Sequence, residues 1–181
     1  MKRMNNLYEN ICEFNNIENA FNEVCRNTKN KRKVENLKEY KSIYISRIYN
    51  ILNNKNYVVG PYNTFKIYEP KERIIEKAPY RDRIVHRWYV DNFMKEYFIK
   101  SFINTSYACL ENRGMHKACI NVQNTMKHCK RIWNNYYIIK MDIAKYFQNI
   151  DKSILYNILQ RKIKDKKLLW LTKEILLSIY G

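Results

Sequence analysis

Several features are missing from this 181-residue chain. Its five cysteines (Cys12, Cys25, Cys109, Cys119, Cys129) form no CxxC pair, and no internal repeat is visible. No apolar run approaches the ~18 residues needed to span a bilayer. The opening MKRMNNLYEN carries charge but no apolar core of a secretory signal. These absences exclude a disulfide framework and a membrane-spanning helix, and they lead us to expect a cytoplasmic protein with reduced thiols. One zinc set exists on paper: His116, Cys119, His128 and Cys129. Its spacing fits no standard finger, and adjacent His128 and Cys129 point to different faces of a helix, so zinc is not expected. Acid is also scarce. Lys and Arg number 34 against 17 Asp and Glu, giving a formal net charge of +17. A domain this basic commonly faces a polyanion, because phosphate contacts release condensed counterions. The competing explanation is a lysine-rich surface kept for solubility. Sixteen Tyr and seven Phe are interleaved with the cations. That mixture suits stacking on bases as well as holding phosphates, although many of the rings must be core.

The periodicity predicts helices over about 7–28 (Leu7, Ile11, Phe14, Ile17, Phe21) and up to about 54 (Leu37, Tyr40, Tyr44, Ile48, Leu52). Between them lies a basic stretch, Asn27 to Lys33, that suits a solvated loop or a phosphate grip. Gly60-Pro61 is the clearest punctuation. Two alternating runs follow, Phe65 to Pro70 and Arg73 to Ala78, and predict a β-hairpin with Lys71 at its tip and Arg73 opening the return strand. Helices are expected over about 81–100 and 116–130, then a buried strand over residues 136–143. Asp151 is placed to cap a further helix, and a last one is expected over about 166–179. The fold class is α+β and helix-rich.

The segment most informative about chemistry is Lys140-Met141-Asp142-Ile143-Ala144-Lys145-Tyr146-Phe147-Gln148-Asn149-Ile150-Asp151. A carboxylate at the end of an apolar strand is costly to bury unless a cation offsets it. Magnesium held between carboxylate and phosphate oxygens is one solution, familiar from phosphoryl transfer. A helix cap or loop ligand is the other, and spacing alone does not separate the two.

This segment resembles the first catalytic palm motif of reverse transcriptases, an Asp followed five residues later by an aromatic. The run Glu69-Pro70-Lys71-Glu72-Arg73-Ile74-Ile75, then Tyr80-Arg81-Asp82-Arg83-Ile84-Val85-His86, is similar to the family's fingers motifs, as are Gly60-Pro61-Tyr62 and Phe65 before it. Ser106-Tyr107-Ala108-Cys109 with Arg113-Gly114-Met115-His116-Lys117-Ala118 resembles the family's link from fingers to palm. The blocks follow the family's order over about residues 35–181, most closely in the manner of diversity-generating retroelements and group II introns. The resemblance implies a basic helical segment (1–60), fingers with the β-hairpin (61–135) and the start of a right-hand polymerase palm (136–181). It implies that Asp142 and the carbonyl of Ile143 bind magnesium. Phe147 would lie under the incoming sugar, and Lys71 and Arg73 would fold over its triphosphate. Arg83 would reach phosphate or brace the hairpin against Asp82. Gly114 would serve a turn or a close approach of backbone, near the template strand. The implied partners are an RNA template, a DNA primer and deoxynucleotides.

One family element is missing. The Asp residues are Asp82, Asp91, Asp142, Asp151 and Asp165, and no Tyr-x-Asp-Asp occurs among the 181 residues. Two-metal transfer needs carboxylates that hold two ions ~4 Å apart, which Asp142 alone cannot do. The chain alone is therefore expected to be inactive. It would be completed by a C-terminal palm and thumb half or an accessory protein, or act as a non-catalytic RNA-binding remnant or split subunit.

Overall fold

The structure, a computed structural model, describes residues 4–68 and 70–177. Glu69 of the hairpin motif and the far end of the last expected helix lie outside the described residues. The fold is mixed α+β. Its elements in order are α1 (Tyr8–Ile11), α2 (Phe14–Arg26), α3 (Lys31–Glu39), α4 (Lys41–Asn53), β1 (Asn63–Ile67), β2 (Arg73–Lys77) and α5 (Tyr80–Tyr89). A π-helical turn (Val90–Lys95) follows, then α6 (Glu96–Ile99), α7 (Met115–Ile132), α8 (Lys152–Gln160) and α9 (Lys166–Leu177). The two strands form one antiparallel hairpin that pairs Phe65 with Ile75 and Ile67 with Arg73. The chain divides into two compact units: Met1–Glu96 with Asp151–Gly181, and Tyr97–Ile150.

The core belongs to the first unit. On α2 the buried residues Ile17, Ala20, Phe21, Val24 and Cys25 recur at helical spacing and face α5, which buries Ile84, Val85, Trp88 and Tyr89. From α4 come Ile45, Ile48 and Leu52. Tyr8, Trp88 and Phe93 form an aromatic knot, with Trp88 edge-on to Phe93 at 5.1 Å and to Tyr8 at 5.8 Å. The polar ends of that knot are satisfied: the Tyr8 hydroxyl donates to the Leu52 carbonyl at 3.0 Å, and the Trp88 indole donates to the Ile11 carbonyl at 3.3 Å. Both long helices expected near the N-terminus are interrupted, the first at Cys12-Glu13 and the second at Tyr40.

The C-terminal segment closes this core. Met4 makes an isolated parallel bridge with Ile163. Asp165, at the head of α9, accepts the amides of Lys167 and Leu168 through Oδ1 and those of Leu7 and Tyr8 through Oδ2. One carboxylate thus satisfies orphan amides at the starts of two helices, a capping role that the sequence permits for any Asp before a helix. Asp151 caps α8 as expected, accepting the Ile154 amide at 2.9 Å.

The second unit differs in character, because none of its described residues is buried. The buried strand expected over 136–143 is not formed. These residues have no regular structure, and Tyr137, Ile139 and Met141 are exposed. The physical reason is that β-propensity alone makes no strand: a buried central strand needs ladder partners for its backbone groups. The strands among the described residues, β1 and β2, pair with each other in the first unit.

Candidate functional site

The hairpin carries the candidate triphosphate contacts. Lys66 of β1 reaches across the turn to Glu72 at 2.8 Å. Glu72 is thereby answered from its own hairpin. Lys71 and Arg73, on either side of it, are exposed and make no ion pair among the described residues. Two uncommitted cations at the end of a two-stranded arm form a ready anion-binding pair.

The hairpin is tethered at its base by a buried network. Asp82, fully buried on α5, accepts the Gly60 amide through Oδ2 at 2.8 Å and the Arg81 guanidinium through Oδ1 at 2.9 Å. Arg81 also donates to the Val58 carbonyl at 2.7 Å and lies over the ring of Tyr57. Tyr57 is itself buried, and its hydroxyl lies 3.4 Å from His86 Nε2. Burial, then the charge of Asp82 and a hydrogen bond to it, push the Tyr57 hydroxyl far above the ordinary phenol range. Burial lowers the His86 pKa, with Asp82 opposing. Gly60 fits closely here: a Cβ at this position would lie 3.1 Å from Asp82 Oδ2 and 3.3 Å from Pro79 Cγ, so one of these side chains would have to give by a few tenths of an ångström.

Asp82 therefore pairs with Arg81, and the alternative in which Arg83 braces it is corrected. Both Asp82 oxygens are already engaged, Oδ1 by Arg81 and Oδ2 by the Gly60 amide, and Arg83 turns instead to the ring of Tyr80, at 5.0 Å from its centroid. Sequence reasoning did not find the Tyr57–Asp82–His86 network. An Asp inside the first turn of a helix was its one legible trace, since α5 carries Asp82 there.

The second unit holds Asp142, Ile143 and Phe147 in one exposed segment. Phe147 is 84% exposed and meets Tyr146 edge-on at 5.2 Å. The following turn is closed by Asn149, whose amide and side chain donate to the carbonyls of Lys145 and Ala144. Asp142 is exposed, and the only other acid in Tyr97–Ile150 is Glu111. No group of three or more His, Cys, Asp or Glu that could hold a metal occurs among the described residues. The donors present, one carboxylate and a neighbouring carbonyl, fit a share in one magnesium ion whose remaining sites go to water and phosphate; they do not fit a two-ion centre.

Upstream, Arg113 Nη1 donates to the carbonyls of Ile103, Asn104 and Ser106, folding this loop against the start of α7. Gly114 has φ 115° and ψ −177°, a conformation essentially confined to glycine, and a Cβ there would meet nothing within 4 Å. Its role is thus conformational, a turn and not a close approach of protein backbone. Lys71, Arg73 and Arg83 belong to the first unit and Asp142, Ile143 and Phe147 to the second, so each group is defined within its own unit. Neither the models of known protein families nor the curated proteins give a match to this chain.

Proposed function

We propose that this chain is the fingers and the first palm segment of an RNA-directed DNA polymerase, acting in the cytoplasm on an RNA template, a DNA primer and deoxynucleotides. The observation that carries the reading is the hairpin: Lys71 and Arg73 flank a Glu72 already answered by Lys66, and so remain available for a triphosphate. The tether from Asp82 to Gly60 supports it, because an arm fixed at its base presents its two cations at a defined place for phosphate. The Asp142 carboxylate, exposed and with its neighbour's carbonyl beside it, would share in holding magnesium, which when bound acts as a Lewis acid on the α-phosphate. Phe147 offers an open aromatic face to the sugar of the incoming nucleotide. Arg83, half-buried on the ring of Tyr80, would support the hairpin's return strand or reach phosphate. In this reading the segments 1–60, 61–135 and 136–181 are the N-terminal helical part, the fingers and the start of the palm.

A second reading is favoured by a specific observation. Asp142 and Glu111 are the only acids of Tyr97–Ile150, and no group of three or more potential metal ligands gathers among the described residues. A non-catalytic RNA-binding remnant, or a split subunit completed by an accessory protein or a palm and thumb half, fits that shortage. Primer extension with magnesium, an RNA template and deoxynucleotides separates the two readings. It is run on this chain and on the longest natural reading frame that contains it. Synthesis by the longer product, abolished by Asp142→Asn with template binding retained, supports the polymerase. Absence of synthesis from both, with salt-sensitive RNA binding, supports the remnant.

A further inference from the structure

The longest helix, α7, carries a charge pattern that the hairpin and Asp142 do not use. No Asp or Glu occurs between Glu111 and Asp142, while Arg113, Lys117, Lys127, Lys130, Arg131 and Lys140 do. At ~100° per residue, Lys117, Asn124, Lys127, His128, Lys130 and Arg131 share one side of the helix. Met115, Ala118, Val122, Met126 and Cys129 take the other. Lys117, Lys127, Lys130 and Arg131 are all exposed, and none is in an ion pair among the described residues. Asn124, Lys127, Lys130 and Arg131 line an open concavity of about 730 Å³.

The helix dipole accounts for cations in the last turn, where Lys130 and Arg131 stand. It does not account for Lys127 and Lys117. Lys127 lies three and four residues before Lys130 and Arg131, so these like charges are helix neighbours that repel. An arrangement that disfavours its own helix is relieved by an external polyanion. Beyond the last turn the chain offers Trp133 and then Tyr137, 55% and 92% exposed, in a segment without regular structure. Cations for a backbone followed by open aromatic faces for unpaired bases make up the composition of a single-strand platform. The same aromatics argue against an interfacial membrane helix, which would carry them on the apolar side of α7 and not beyond its end.

We infer that the basic side of α7, continued by Trp133 and Tyr137, is a docking surface for single-stranded nucleic acid, separate from the nucleotide contacts of the hairpin. The inference goes beyond the polymerase reading and stands without it. The test is fluorescence anisotropy of the full 181-residue chain with a labelled oligouridylate of about 20 nucleotides, titrated between about 50 and 200 mM salt. The variant Lys127→Ala/Lys130→Ala/Arg131→Ala is compared with Lys38→Ala/Lys166→Ala/Lys173→Ala, which removes the same charge from exposed positions in the other unit. The α7 variant should bind about tenfold or more weakly and lose about 2 from the log–log salt slope, whereas the control should change less than about twofold. Trp133→Ala/Tyr137→Ala should weaken binding with the salt slope unchanged. Helicity by circular dichroism verifies that each variant is folded. Equal losses in both triple variants, or no loss in either, overturn the surface. So does capture of the wild-type chain by phosphatidylserine vesicles with oligouridylate left unbound. Primer extension is scored separately on the longest natural reading frame, so patch-dependent binding without synthesis by that longer product refutes the polymerase and keeps the surface. Synthesis with patch-independent binding does the reverse.

Discussion

Asp165 accepts the backbone amide of Tyr8 at 3.0 Å, from 157 residues further along the chain. Its other oxygen caps α9, so a single carboxylate holds the two ends of the first unit together. Asp165→Ala leaves four amides without that acceptor and should destabilise the fold by about 2–4 kcal/mol, a cap and its buried amides together. Asp165→Asn keeps one carbonyl oxygen and should fall about midway. Urea unfolding of the three proteins checks this order, and an alanine variant as stable as wild type refutes the double cap.

Gly60 and Asp82 predict a steric effect. The Cβ of Gly60→Ala would press on Asp82 Oδ2 and Pro79 Cγ. The expected loss is about 1–3 kcal/mol in stability, the usual range for overpacking. Faster proteolysis within the hairpin should accompany it, because the Gly60 amide is the tether that shifts. Thermal melts and limited digestion read the two effects separately, and an unshifted melt would show that the loop yields freely.

His86 gives the first unit an acid-sensitive element. Burial lowers its pKa from the ordinary 6.5, so the fold favours the neutral ring. The unfolded chain then binds more protons, and stability declines as pH falls from about 6.5 toward the lowered native value. Above that window the contribution is fully present. His86→Gln should flatten this part of the stability–pH curve. If wild type and variant run parallel between about pH 7 and 5.5, the loss lies in other groups.

For the proposed chemistry, Phe147→Ala in the longest natural reading frame should admit ribonucleotides while extension with deoxynucleotides continues. Lys71→Ala/Arg73→Ala should raise the KM for deoxynucleotides more than it changes the affinity for the template. Steady-state extension with each nucleotide class measures both. Unchanged discrimination removes Phe147 from the sugar contact, and an unchanged KM removes the hairpin cations from the triphosphate.

Legibility of the sequence followed the range of the interactions. The hairpin, α7, and the capping of α8 by Asp151 were readable because alternation, helical spacing and an N-cap act within a few residues. The interruptions at Cys12-Glu13 and Tyr40 were not, since an apolar stripe can run on through a break when both halves face one core. Residues 136–143 failed in the opposite sense. Tyr, Ile and Met in succession are good strand formers, but pairing is decided by distant partners that local sequence does not encode. Asp142 and Phe147 became candidates through the resemblance, since spacing alone did not separate a metal ligand from a cap or loop carboxylate. The resemblance implies Asp82 as a brace for the hairpin, but its burial and its link to Gly60, 22 residues away, escaped because they are properties of the fold.

The discontinuous first unit has a consequence for synthesis. Its core needs Ile163, Leu168 and Leu171, which leave the ribosome after Tyr97–Ile150 have already emerged. At about 5–20 residues per second, the nascent Tyr8 and Tyr89 wait several seconds for Asp165 and Thr172. Throughout that interval Tyr8 is without its Asp165 acceptor and Tyr89 without its Thr172 partner, so this edge of the core stays exposed. A nonsense mutation that removes α9 would therefore do more than shorten the protein: it would make that transient exposure permanent.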